Sequence, residues 1–452
     1  MIETALYVHL GIFVAIAACF ALSRNASLFH PLAFYLLFHA IVFVIRPFMV
    51  YYLKFDGRWV YMRFFPTDSQ FVFTLVVTSV ALLVFAAACW FGGRAQTNFA
   101  DARLPEFTSV QKQAFFWTAA LLGPLTIYST FFAAQDVGYD DKTAAIQMTV
   151  DLATGNTIYV NTTGYIVEAQ TMIGSFVLLF MWRFRFALWT WVPLILFVGY
   201  RAFLGGGRWP MITTIFTLVL MQLFNTRKRW FRIRYLVIFV PIFILFQNVG
   251  LNRNYFRDYI GSEKPVAEFR DDRTWLEKQD NPDFANFEFL TYILWAVPEL
   301  SKTYTYFTQY LQIFTEPIPR ILWKDKPTGS PITLINLNDY GNFVGLTASL
   351  PGDGWLSFGW AGLVFTMGMV GLFLGWLHKW FWRNLHEPAK VLIYCVFLPL
   401  TVQWFRDGGI SIAKFSLFTI LPVALWLGLT RFLEWLRQYR ATQQVRILPR
   451  RR

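Results

Sequence analysis

The stretch ETALYVHLGIFVAIAACFALS, residues 3–23, is an almost unbroken apolar run. A helix needs about 20 such residues to cross the hydrocarbon core of a bilayer. The run is long for a secretory signal, and it lacks both a basic start and a small-residue cleavage site, so it reads as a span that stays in the membrane. Ten further runs read the same way: 31–52, 69–91, 113–134, 163–182, 187–204, 208–225, 234–251, 355–377, 389–405 and 410–434. The run 163–182 begins polar, and 389–405 ends at Arg406. Composition agrees, with 56% hydrophobic and 19% aromatic residues and a mean hydropathy of +0.43, values of a membrane protein. The expected fold is an all-α, polytopic integral membrane protein of about 11 transmembrane helices, one domain over 1–452, with a long outer loop at 252–354.

A net charge of +13 invites a nucleic-acid reading, but its distribution argues against one. The basic residues gather in alternate loops: Arg94, Arg103 and Lys112; Arg183 and Arg185; Arg227 to Arg229 with Arg232 and Arg234; Lys379, Arg383 and Lys390. The C-terminal tail adds Arg437, Arg440, Arg446 and Arg450 to Arg452. Eleven spans put all of these on one side, which the positive-inside rule makes cytoplasmic. The N-terminus is then outside and the C-terminus inside a bacterial inner membrane. The charge orients the protein and meets anionic lipid. No recognition module accompanies it, so no nucleic-acid partner is expected.

The opposite side is acidic. Asp136, Asp140, Asp141 and Asp151 follow the fourth run, and the 252–354 loop has more acids than bases. Aromatic residues punctuate that loop (Tyr292, Trp295, Tyr304, Tyr306, Tyr310, Trp323), so it is expected to fold against the membrane surface with short amphipathic helices. Its apolar segment FEFLTYILWAVPEL is short and contains Pro298, and reads as an interfacial or re-entrant helix, not a twelfth span.

Several chemistries lack their residues. Cys19, Cys89 and Cys395 lie within predicted spans and form no C-x-x-C pair. His9, His30, His39, His378 and His386 have no metal-ligand spacing and read as packed or interfacial side chains. There is no phosphate-binding G-x-x-x-x-G-K-[ST] loop, no G-x-S-x-G elbow and no D-x-D pair. No cofactor or metal site is expected.

What remains is arginine. Arg46, Arg201, Arg208, Arg253, Arg406 and Lys414 sit at the outer ends of six spans. An arginine near a helix end can simply anchor in the headgroups. Six cations at one rim also suit an anionic ligand, because an unpaired charge at membrane depth costs about 2.5–3.5 kcal/mol on insertion scales. The segment RAFLGGGRWPMITT, residues 201–214, concentrates the idea. Gly205 to Gly207 form a tight turn that lets a headgroup approach the backbone. Pro210 lies in the first turn of the next helix, whose free N–H groups favour phosphate, and Arg208 adds a two-pronged donor. A plain turn with an interfacial arginine is the competing reading.

LGGGR resembles the G-G-x-R element of the Wzy-type oligosaccharide repeat-unit polymerases. EPIPRILWKDKPTG, residues 316–329, resembles that family's Pro/Trp/Lys signature before its last spans. GDGWLSFGWAGLVFTMGMVGLFLG (352–375) and QWFRDGG (403–409) resemble its later glycine-rich helix entry and R-x-G element. The first five spans match only in hydropathy.

The resemblance implies a GT-C-like membrane glycosyltransferase that needs neither metal nor nucleotide sugar. Its donor would be a growing glycan on undecaprenyl pyrophosphate and its acceptor a single repeat unit on the same carrier. A chain-length regulator would be a possible partner. Cations would stabilise the departing pyrophosphate, and a carboxylate would accept the acceptor's proton. Matching positions assign Arg208, Arg253 and Arg406 to pyrophosphate, with Arg201, Gly206 and Gly207 around the substrate; Arg320 and Lys326, in the signature loop, either join them or serve to fold that loop. Glu299 ranks first as base, ahead of Asp353, Asp339 and Asp407. Trp323 and Trp355 either stack on sugars or belong to an aromatic belt. An O-antigen ligase, which shares the donor, and a lipid or polysaccharide flippase are the alternatives.

Overall fold

The computed structural model describes residues 1–94, 99, 105–135, 148–150, 157–159, 169–203, 209–232, 280, 284–315, 323, 334–341 and 347–447. Within them the chain is helical apart from one short antiparallel hairpin, β1 Met148–Val150 with β2 Thr157–Tyr159, in which Thr149 pairs with Ile158. Besides a short helical turn at Gly57–Met62, the helices are α1 Ile2–Ala21, α2 Pro31–Leu53, α3 Asp68–Gly92, α4 Ser109–Gln135, α5 Met172–Arg183, α6 Val192–Phe203, α7 Trp209–Asn225, α8 Asn286–Ala296, α9 Thr308–Thr315, α10 Ser349–Arg383, α11 Pro388–Asp407 and α12 Gly409–Ile447.

Six segments among the described residues are long and apolar enough to cross a membrane: α1, α2, α3, α10, α11 and Phe415–Thr442 of α12. This is a multi-pass membrane protein. The expected span at 113–134 is a 27-residue helix, α4, with lower hydropathy. The expected spans 163–182, 187–204 and 208–225 appear as the shorter helices α5, α6 and α7. The run 234–251 lies outside the described residues.

Local chemistry sets the helix ends. Thr67 and Gln70 form a reciprocal capping box at the start of α3, which satisfies two of its orphan N–H groups. The His30 ring accepts from Leu32 N at the start of α2, and Pro31 occupies the first helical position. Helices α3 and α10 then pack along a seam of small residues. A Cβ on Gly371 would lie 2.9 Å from Phe85 O, and one on Gly375 2.5 Å from Cys89 O. No larger residue lets the two backbones come this close.

The two ends of the bundle differ. At one end Leu28 N donates to Arg229 O (2.9 Å), Arg229 Nη1 to Arg24 O (2.8 Å) and Trp182 Nε1 to Pro105 O (3.2 Å). At the same end Trp426 Nε1 donates to Gln111 O (3.1 Å), and Arg437 Nη1 to Ser109 Oγ (3.0 Å). The basic loops of the sequence therefore meet there. The starts of α1, α3, α8 and α10 and the ends of α2 and α11 meet at the other end, where Tyr52 OH bonds Glu3 (2.9 Å).

Helix α8, the segment read as interfacial or re-entrant, lies between α3 and α10, and most of its residues are buried. Eleven residues span about 17 Å, too short to cross a bilayer.

Candidate active site

Arg46 follows directly on a π-helical stretch, Ala40–Ile45, inside α2. Such stretches recur at functional sites, because they displace the next side chains from the ordinary helical register. Arg46 is 1% exposed. Its Nε donates to Glu288 Oε1 of α8 at 2.8 Å, and its Nη2 donates to Asp280 Oδ1 at 2.6 Å and also to Glu288 Oε1. The guanidinium lies 5.4 Å from the centroid of the Phe55 ring. A buried cation is thus matched by two carboxylates, as burial requires.

The second buried carboxylate is Asp353. It lies in the first part of α10, which is interrupted at Phe358 and Gly359. Gly359 takes a φ of +58°, a region open chiefly to glycine. The carbonyls freed by the break are recaptured from outside: Leu356 O accepts from Thr305 N (2.8 Å) and Ser357 O from Tyr306 N (3.1 Å). That capture holds α9 against α10. Asp353 Oδ1 then accepts from Gln309 Nε2 (3.0 Å), and Oδ2 accepts from Tyr310 OH (2.7 Å) and Gly409 N (3.0 Å). Burial and the nearby carboxylate push the Tyr310 phenol well above its usual pKa, so it remains a donor.

Gly409 opens α12, and Gly408 before it has a φ of +86°. The α11–α12 break is thus pinned to Asp353. It also fixes Arg406, whose backbone carbonyl accepts from the buried Asn286 Nδ2 at 3.0 Å. Asn286 Nδ2 also reaches Thr347 Oγ1 at 2.8 Å. The Arg406 side chain is half-buried, with Nη1 3.5 Å from Asp407 Oδ1. Helix α8 therefore carries both links, Glu288 to α2 and Asn286 to the end of α11.

Of the residues expected to form the site, Arg406 is placed here. Arg208, Arg253, Arg320, Lys326, Gly206 and Gly207 lie outside the described residues. Arg201 is in the last turn of α6. Trp323 is exposed, as are Glu299 and Asp339. Trp355 is buried, and its Nε1 donates to Val297 O at 2.9 Å, so it is a packing residue. The histidines His9, His30, His39 and His378 are buried among aromatic rings, as expected of packed side chains. Sequence reading placed Arg46 at the rim but missed its partners Glu288 and Asp280. The available signal was an acid inside an otherwise apolar run, NFEFLTYILWA.

A helical membrane protein with buried, mutually paired charges at the end away from its basic loops has the makings of a membrane-embedded enzyme. The family comparison specifies which kind. The model of the O-antigen polysaccharide polymerase Wzy family matches residues 2–433, nearly the whole chain, and the chain belongs to that family. It is a polymerase of O-antigen repeat units. Comparison with curated proteins and with solved structures yields no match.

Proposed function

We propose that the protein extends a glycan carried on undecaprenyl pyrophosphate, transferring it to the distal hydroxyl of a new lipid-linked repeat unit at the outer face of the inner membrane. The observation that carries this reading is the gathering of Arg406, Arg46, Glu288 and Asp353 at the end opposite the basic loops. By the positive-inside rule that end faces outward, where lipid-linked units are the available sugar donors.

Arg406 serves the leaving pyrophosphate together with Arg208, Arg253, Arg320 and Lys326, and the backbone of Gly206 and Gly207 admits the phosphates. Charge grows on the pyrophosphate as the glycosidic bond breaks, so cations fixed beforehand lower the barrier. Arg46 is not one of them, since two carboxylates occupy its guanidinium. No D-x-D pair or histidine set exists in the sequence to hold a divalent ion, and the transfer proceeds without one. A chain-length regulator acts on the product from outside the chain.

The test is reconstitution with lipid-linked repeat units extracted from a strain in which this gene is deleted. A ladder of lengths, unchanged in EDTA, is expected. A single transfer to a core lipid would identify a ligase, and movement without bond formation a flippase. Loss of the ladder in EDTA with rescue by Mg²⁺ or Mn²⁺ would refute metal independence.

Orientation is tested separately. A cysteine at Lys302, exposed at the carboxylate end, should react with an impermeant maleimide on intact spheroplasts. One at Arg227, exposed at the basic end, should react only after lysis. The reverse pattern would place the site in the cytoplasm and end the argument from lipid-linked donors.

A further inference from the structure

We propose that Glu288 is the general base of the transfer, with Arg46 as its positioning residue; this rests on the polymerase reading above. A base must offer a bare oxygen held in a fixed direction. Glu288 is fully buried, and Arg46 grips its Oε1 through both Nε and Nη2. Its Oε2 has no hydrogen-bond partner among the described residues. A buried carboxylate oxygen left bare is costly, and its cost is explained if a substrate hydroxyl completes it.

Among the described residues, the other acids of this end do not offer that arrangement. Both oxygens of Asp353 are occupied, by Gln309 on one side and by Tyr310 and Gly409 on the other. Asp407 Oδ1 lies 3.5 Å from Arg406 Nη1, so this oxygen is turned to the cation and not toward an open position. Glu299 and Asp339 stand exposed, without a group to orient them in the buried network. The Asp280 side chain is 16% exposed while Glu288 is 0% exposed, so the cluster lies one side chain below the surface.

Two features tie Glu288 to the chemistry. Asn286, two residues earlier on α8, holds the carbonyl of Arg406, so base and leaving-group cation are set on one rigid connection. Burial also raises the proton affinity of Glu288 against the opposing pull of Arg46, as a base working near neutral pH needs. In the step itself the acceptor hydroxyl oxygen forms a bond to the donor's anomeric carbon. The bond from that carbon to phosphate oxygen breaks, and its electron pair leaves with the lipid pyrophosphate. The hydroxyl proton passes to Glu288 Oε2 and from there to water.

Two substitutions test the assignment, with the extracted lipid-linked units as substrate. Glu288→Gln keeps shape and an acceptor for Arg46 but cannot take a proton. Its kcat should fall about 10²–10⁴-fold, with KM within threefold of wild type. Glu288→Asp preserves the charge partner of Arg46, and hence the fold, but withdraws the bare oxygen by about one bond length. It should lose roughly 10²-fold in kcat, the cost of about 1 Å of misplacement. Either variant polymerising at the wild-type rate would overturn the assignment while leaving the polymerase reading intact. Failure of the wild type to polymerise would remove the reading itself.

Discussion

Arg406→Lys should insert and fold as the wild type does, yet polymerise at no more than a few per cent of its rate. Arg406 ends α11 with its side chain only 16% exposed. Two glycines and the Asp353 network fix the backbone immediately after it. Lysine keeps the charge but loses the planar fork that holds two phosphate oxygens together. Removing one preorganised donor to a developing anion costs about 10²–10³ in rate. Arg208→Lys should behave alike, and the double variant should be little worse than either, because groups that act as a unit are non-additive. The measurement is the initial rate of ladder formation at matched protein levels. A wild-type rate would make Arg406 a headgroup anchor.

Arg46→Met should destabilise the protein by about 3–5 kcal/mol, the usual cost of stranding a buried partner charge. Glu288 has no exposure through which to recover hydration, whereas Asp280 is partly exposed and turns to water. Reversible unfolding in mixed micelles measures the loss. The paired variant Arg46→Met with Glu288→Leu should regain most of that stability, since a buried ion pair is often replaceable by well-packed apolar groups. It should regain no activity, because the proton acceptor is gone. An Arg46→Met protein as stable as wild type would mean that the cluster is hydrated and contributes nothing to the fold.

Six of the eleven expected spans are legible as such, because a bilayer imposes a length and a polarity on each helix, visible in any twenty-residue window. Loop charge was legible for a related reason, and the structure gathers those loops at one end. The site was legible only in part. Arg406 stood out as a cation closing a span, and Asp353 lay in a stretch that resembled the family. Glu288 did not, because its meaning depends on Arg46, 242 positions away in sequence. Hydrophobic periodicity reports which face a helix buries, not which distant helix supplies a counter-charge. Glu299 ranks first in the sequence because it follows the apolar outer segment, while Glu288, inside that segment, is not among the candidate bases. The fold puts Glu299 in water and takes Glu288 inside.

The separation of Arg46 from its partners has a consequence for how the protein is made. Asp280 and Glu288 lie 234 and 242 residues downstream. At about 5–20 residues per second, the ribosome needs roughly ten to fifty seconds to supply them after Arg46. Throughout that interval the second span carries a cation with neither acid yet synthesised. Arg46 lies toward the outer end of that span, where its side chain can reach the headgroups, and the acids that hold its buried position arrive only with the later chain. Its final seating therefore coincides with the arrival of α8. The ion pair makes late synthesis a condition of early packing.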